Sequence, residues 1–170
     1  MSETRRHFEA QVLPHLDAAY RFARWLSASS VFAEDVVQDA VLRAFRSFDS
    51  FRGGDTRAWL FAIVRNCHAT TAAQHRKRVF VPLPDEAAWQ TDSTAENDAL
   101  ARDDERVLAR LMSALPEEYR EVLVLRELEE MNYRDIATIA DIPIGTVMSR
   151  LARARAALKQ LAVREQEKTA

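Results

Sequence analysis

Residues 132–161 read NYRDIATIADIPIGTVMSRLARARAALKQL, and this stretch decides the fold. Asn132 can cap a helix, and Asp135 three residues on completes a capping-box-like pair. Ile136, Ala137, Ile139 and Ala140 give this short helix one apolar face. Asp141-Ile142-Pro143 breaks it, because Pro143 has no N–H for a helix interior but suits a first turn. A second helix is expected from there, with Val147, Leu151, Ala154, Leu158 and Leu161 recurring at threes and fours as one buried seam. Its other face carries Thr146, Ser149, Arg150 and Arg153, with Arg155 nearby. Two helices, a tight turn and a hydroxyl-and-arginine surface on the second are what major-groove reading needs.

An ordinary helical hairpin with a solvated basic face has the same periodicity, since surface arginines are usually just hydrated. Local charge separates the two. Residues 142–164 hold five basic residues (Arg150, Arg153, Arg155, Lys159, Arg164) and no acidic one, in a chain of net charge -2. That asymmetry points to a phosphate-facing surface. A protein that binds duplex DNA unaided normally carries a marked positive excess, because phosphate neutralisation supplies most of the affinity. A DNA-reading helix on a slightly acidic chain implies that a partner supplies much of the binding.

The 170 residues suffice for one domain or two small ones, and 48% hydrophobic with 29% charged residues is a globular composition. Three glycines, few β-branched runs and long 3.6-period segments predict an all-α fold. No apolar run is long enough to span a bilayer, and MSETRRHFEA lacks the apolar core of a signal peptide. A cytoplasmic location is expected. The single cysteine, Cys67, excludes an intrachain disulfide and fits a reducing compartment.

Along the chain, residues 5–27 predict a first helix with Phe8, Val12, Leu13, Leu16, Ala19, Tyr20, Ala23 and Leu26 on its apolar face, interrupted by Pro14. Ser29-Ser30 mark a break and a cap. The next helix, residues 31–48, has a core stripe of Val37, Ala40, Val41, Ala44, Phe45 and Phe48. Its opposite side carries Asp35, Gln38, Asp39, Leu42, Arg43 and Arg46, and Leu42 stands alone among charges. In DSFRGGD, residues 49–55, Gly53-Gly54 prevent continuous helix and Asp55 or Thr56 can cap the next one. Phe51 there is a base-stacking candidate, although such an aromatic more often folds back onto the core.

The helix of residues 56–78 ends in His75-Arg76-Lys77-Arg78, which complements its macrodipole. With Arg65 and Asn66 it also makes a phosphate-binding flank. Residues 81–99 contain Pro82, Pro84 and Trp89 without sustained period, and residues 83–110 hold eight acidic against three basic residues. They predict a flexible acidic linker between two small helical domains, 1–80 and 100–165. Helices resume with Leu100, Val107, Leu108, Leu111 and Met112, then after Pro116 with Tyr119, Val122, Leu123, either Leu125 or the stem of Arg126, and Leu128 as the buried set.

Cys67, His68 and His75 have no recognised ligand spacing, so no metal is expected. A glycine-rich phosphate loop and a nucleophile elbow are both missing, so neither a cofactor nor an enzyme is expected.

Two segments resemble a known family. ALPEEYREVLVLRELEEMNYRDIATIADIPIGTVMSRLARARAAL, residues 114–158, is similar to the fourth domain of bacterial RNA polymerase sigma factors of the extracytoplasmic-function (ECF) type. EDVVQDAVLRAFRSFDSFRGGDTRAWLFAIVRN, residues 34–66, resembles their second domain. The resemblance implies a non-catalytic subunit that binds core RNA polymerase and directs it to promoter DNA, with an anti-sigma protein as a further partner. It assigns Asp35, Gln38, Asp39, Leu42 and Arg43 to the polymerase clamp. It assigns Ser50, Phe51 and Arg52 to capture of a flipped base in the minus-ten element, with Trp59, Asn66, Arg76, Lys77 and Arg78 along the same DNA. Thr146, Met148, Ser149, Arg150, Arg153 and Arg155 would meet the minus-thirty-five element. Three positions depart from the family pattern: Met148 for a cation, Glu130 for a glycine before the helix-turn-helix, and Thr70 for an aspartate. The residues admit two other function classes: a stand-alone helix-turn-helix repressor or activator, and a helical enzyme carrying a DNA-binding tail, which would need a cavity with perturbed titratable groups.

Overall fold

The computed structural model describes residues 3–27, 29–78 and 99–170. The expected linker, with Trp89, lies outside the described residues, as do the side chains of Arg78 and Leu100. Among the described residues there is no strand. The N-terminal unit comprises α1 (Glu3–Val12), a 3-10 turn (Leu13–His15), α2 (Leu16–Leu26), α3 (Ser30–Ser47), a second 3-10 turn (Phe48–Ser50) and α4 (Thr56–Arg78). The C-terminal unit comprises α5 (Ala99–Ser113), α6 (Glu117–Leu123) continued by a π turn (Val124–Leu128), α7 (Tyr133–Ala140) and α8 (Ile144–Thr169).

The helix ends obey local chemistry. Pro14 divides the first expected helix into α1 and α2, with the 3-10 turn between them. Ser29 Oγ accepts the Phe32 N–H at 3.0 Å and caps α3. Asp55 Oδ1 accepts from the N–H groups of Arg57 and Ala58 and caps α4. Asn132 Oδ1 accepts the Asp135 N–H at 2.8 Å while its amide donates to the Asp135 carboxylate, so α7 starts on a reciprocal cap. Pro143 sits just outside α8, in extended conformation, as its N-cap.

One buried hydrophobic cluster runs through both units. Phe22, Leu60, Phe61 and Val64 belong to it from the first, and Val122, Leu125, Ile136, Ile139 and Leu151 from the second. Four residues expected inside are exposed: Leu13, Phe45, Leu108 and Leu128. Phe45 stays at the edge, its ring packed edge-on against Phe8 at 5.2 Å. Leu128 is displaced by the π turn. A π turn adds one residue per turn and so rotates everything after it by one position. Glu129, not Leu128, therefore points inward, at 4% exposure against 45%.

The π turn closes through Glu129 N–H to the Val124 carbonyl and Met131 N–H to the Leu125 carbonyl. Glu130 reverses the chain with φ 54°, and Asp141 does the same at the end of α7. A left-handed conformation costs a residue with a Cβ roughly 1–2 kcal/mol, which is why glycine usually terminates a helix this way. Glu130→Gly should accordingly stabilise the protein by ~0.5–1 kcal/mol, read from urea unfolding. A destabilised variant would refute this account of the turn.

Candidate nucleic-acid interface

On α3 the solvent side is set by helical spacing. Asp35, Gln38, Leu42 and Arg43 are exposed, and Leu42 is 56% exposed despite being a leucine. Arg43 pairs with Asp39 at 2.9 Å, fixing both on this face. Asp39 also reaches the seam with α4, where its carboxylate lies beside the Cys67 thiol. All five residues thus form one contiguous surface.

The loop after α3 holds its aromatic partly inside. Phe51 is half-buried, with its ring 4.6 Å from Trp59 and 6.4 Å from Phe48. Folding back and stacking are compatible here: Phe51 rests on Trp59, and Ser50 and Arg52 beside it are exposed. On α4, Trp59, Ile63, Asn66, Thr70 and Lys77 succeed one another at spacings that share a face. Asn66, Arg76 and Lys77 are exposed. Thr70 donates its hydroxyl to the Asn66 carbonyl at 3.0 Å.

In the helix-turn-helix, Val147, Leu151 and Ala154 are buried and seat α8 on its unit. Met148, Ser149 and Arg153 are exposed on the opposite side, and Thr146 is half-exposed. Arg150 and Arg155 are not free. Arg155 bonds Glu127 at 2.6 Å, and Arg150 lies 3.5 Å from Glu118 at 22% exposure. Among the described residues Arg153 is the one arginine of this set without an ion pair. The structure thus divides the sites into three separate surfaces rather than one cleft.

Comparison with known proteins gives these surfaces a context. Residues 12–78 match the family Sigma-70 region 2, and residues 105–158 match Sigma-70, region 4. The ECF RNA polymerase sigma-E factor of Haemophilus influenzae is 37% identical over 142 residues, covering 78% of this chain and 74% of that protein. The corresponding Escherichia coli K12 factor is 35% identical over 136 residues, covering 73% and 70%. The sigma factor RpoE, solved in complex with the anti-sigma factor NepR from Bartonella quintana, superposes with TM-score 0.80 at 30% identity, over 92% of this chain and 97% of that one. CnrH, solved with the cytosolic domain of CnrY, gives TM-score 0.66 at 27% identity over 93% and 88%. The chain belongs to the ECF sigma factors. It is a promoter-directing transcription initiation factor, and its helix-turn-helix lies in region 4.

Sequence reading of this sigma factor missed a second set of charges, those between its two units. Glu129, buried, accepts from Arg57 Nη2 at 2.7 Å, and Arg57 donates also to the Glu129 carbonyl at 2.6 Å. Arg21 approaches the same carboxylate at 3.4 Å. Glu121, also buried, pairs with Arg65 at 2.9 Å. Burial pushes the Glu121 carboxyl above its ordinary range, with Arg65 pulling it back. His68, buried, faces Glu117 at 3.4 Å, and burial holds its imidazole below the usual value. Four-residue steps of glutamate on α6 were a visible signal, but the π turn that brings Glu129 into line was not.

Cys67, His68 and His75 do not converge. His75 packs on Phe32 at 4.9 Å, and Cys67 is enclosed between α3 and α4. Burial, with Asp39 acting in the same direction, pushes the Cys67 thiol up to about 11. A thiolate is the reactive form, so at pH 8 Cys67 should react with a thiol reagent on the order of a hundredfold more slowly than a free cysteine. Labelling at the rate of an exposed cysteine in the native protein would contradict this packing.

Proposed function

We propose that this ECF sigma factor acts in the cytoplasm as a non-catalytic subunit, docking on core RNA polymerase through the outer face of α3. The observation that carries this is Leu42, more than half exposed within a rim of Asp35, Gln38, Asp39 and Arg43. An apolar centre inside a charged rim is the usual anatomy of a protein interface. Residues 1–80 form the polymerase- and minus-ten-binding domain, 81–99 the linker, and 100–165 the minus-thirty-five-binding domain.

On the DNA, Ser50, Phe51 and Arg52 hold a base flipped from the minus-ten element, with Trp59 stacked behind Phe51. Flipping costs a few kcal/mol, roughly, which an aromatic surface and pocket offset. Asn66, Arg76, Lys77 and Arg78 line the strand beyond. Thr146, Met148, Ser149, Arg150, Arg153 and Arg155 meet the minus-thirty-five element in the major groove. Met148 supplies an apolar contact there, suited to a thymine methyl, where a cation would favour guanine or phosphate. An anti-sigma protein is a further partner, supported by the two complexes found among the solved relatives.

The test is reconstitution: purified protein is added to core RNA polymerase and promoter-specific RNA is measured. Tight binding of promoter DNA alone, with no effect on core polymerase, would favour a stand-alone regulator instead. Leu42→Ala should weaken core binding by ~1–2 kcal/mol while leaving the isolated protein's stability unchanged. Arg153→Ala should cost ~1–3 kcal/mol in use of the minus-thirty-five element if it contacts a base. Equal selectivity between the variant and wild type would remove Arg153 from the reading set.

A further inference from the structure

A concavity of the N-terminal unit lies beside the loop that holds Phe51. Helix α1 and this loop enclose about 450 Å³, within the roughly 300–1,000 Å³ that small-ligand sites occupy. The α1 wall carries Glu3, His7 and Gln11, which share a helix face at steps of four. The loop wall carries Phe48, Asp49, Phe51 and Gly53. A Cβ at Gly53 would meet nothing within 4 Å, so the mouth is open on that side. The match to Sigma-70 region 2 begins at residue 12, and the α1 wall precedes it.

This wall is ordered although it stands at the surface. Gln11 Nε2 and His7 Nε2 are 2.7 Å apart. An amide nitrogen only donates, so His7 Nε2 accepts and the ring proton sits on Nδ1. The His7 ring also stands edge-on to Phe48, with centroids 5.8 Å apart. An exposed histidine held from two sides is preorganised rather than loosely hydrated. With one amide proton engaged, Gln11 keeps a carbonyl oxygen to accept and a second proton to donate. That side-by-side pair is how an amide reads a base edge.

Charge and shape then identify the occupant. Ionised Glu3 and Asp49 can only accept, and no lysine or arginine is among the described residues that line the cavity. A phosphate would be repelled there. A flat neutral ring is not, because the loop side is aromatic: Phe48 and Phe51 lie 24° from parallel at 6.4 Å, and Phe51 rests on Trp59 at 4.6 Å. A nucleobase is the neutral ring that a promoter strand delivers beside Ser50 and Arg52. Carboxylate acceptors favour a base with an exocyclic amino group, which adenine, cytosine and guanine carry and thymine lacks.

We propose that this cavity receives the base captured from the minus-ten element, and that Glu3, His7, Gln11 and Asp49 select a base bearing an exocyclic amino group over thymine. The proposal rests on the base-capturing role assigned to Ser50, Phe51 and Arg52. It makes α1 a determinant of promoter sequence: the loop stacks the base and α1 reads its edge.

The test uses holoenzyme reconstituted from core polymerase and the full chain, with a promoter library randomised across the minus-ten element, and reads base preference from the RNA produced. Phe51→Ala should relax preference at one position, which marks the captured base. At that position wild type should disfavour thymine by about tenfold or more. Gln11→Ala, and the double variant Glu3→Gln with Asp49→Asn, should each reduce that discrimination by about fivefold. Preferences at the other positions and at the minus-thirty-five element should not move. A merely structural role for α1 would lower the use of all promoters alike, and that result would overturn the proposal. So would full discrimination by both α1 variants at the position that Phe51→Ala relaxes, in which case the loop captures the base without α1. If Phe51→Ala relaxes no position while wild type still yields promoter-specific RNA, the reading of the loop fails and the proposal with it. A chemical arm needs no α1 variant: the same base without its amino group, placed at the marked position, should lower open-complex formation by wild type about fivefold. No loss there overturns the proposal even where a variant does not fold.

Discussion

A carboxylate almost out of contact with water constrains this structure more than any other group. Glu129 carries 4% exposure in the wall between two helical units, and an isolated buried charge of that kind costs several kcal/mol unless it is paired. Arg57 pairs it twice over, through the side chain and through the carbonyl of the same residue. To be there at all, Glu129 needs the extra residue of the π turn. To leave the helix afterwards, the chain needs Glu130 in a left-handed conformation. Charge, turn and strain are one arrangement. The cap of α7 comes two residues later, so the seat of the helix-turn-helix depends on how Glu129 is satisfied.

Much of this was legible in the sequence, and the failures have a common cause. Periodicity and caps gave the helices, because Ser29, Asp55 and Asn132 act on their own neighbours within three residues. Pro14 and Gly53-Gly54 mark breaks for equally local reasons. Leu128 and Phe45 were misplaced because side-chain direction there depends on contacts made elsewhere in the chain. For Leu128 the cause is the π turn, which changes the period itself. For Phe45 it is Phe8, a residue far away in sequence that packs against one edge of the ring. Which residues of α3, α4 and α8 lie at the surface was legible residue by residue, since exposure on a helix obeys spacing. The facing of the two units was not, since Arg57 and Arg65 look like solvated residues until Glu129 and Glu121 are opposite them.

Charge balance ties these observations to function. A chain with net charge -2 can still present a DNA-reading helix if its acids are spent internally. Here they are spent on the arginines themselves: Glu118 on Arg150, Glu127 on Arg155, Glu121 on Arg65 and Glu129 on Arg57. Each such pair lowers the field that a phosphate backbone would feel. Affinity for DNA scales with the number of phosphates neutralised, so a protein that neutralises its own cations binds non-specific duplex weakly. That weakness suits a subunit whose binding is completed by a partner.

The same pairs differ in how readily DNA can compete for them. Arg155 with Glu127 is an exposed pair, which solvent and salt screen and which a phosphate can replace at little cost. Arg57 with Glu129 is enclosed on the carboxylate side, and separating it leaves a buried charge that must find another partner or water. The buried carboxylates Glu129 and Glu121 therefore hold their arginines more firmly than exposed Glu127 holds Arg155. The chain thus carries two kinds of arginine contact, one on α4 and one on α8, separated by the burial of the carboxylate rather than by residue type.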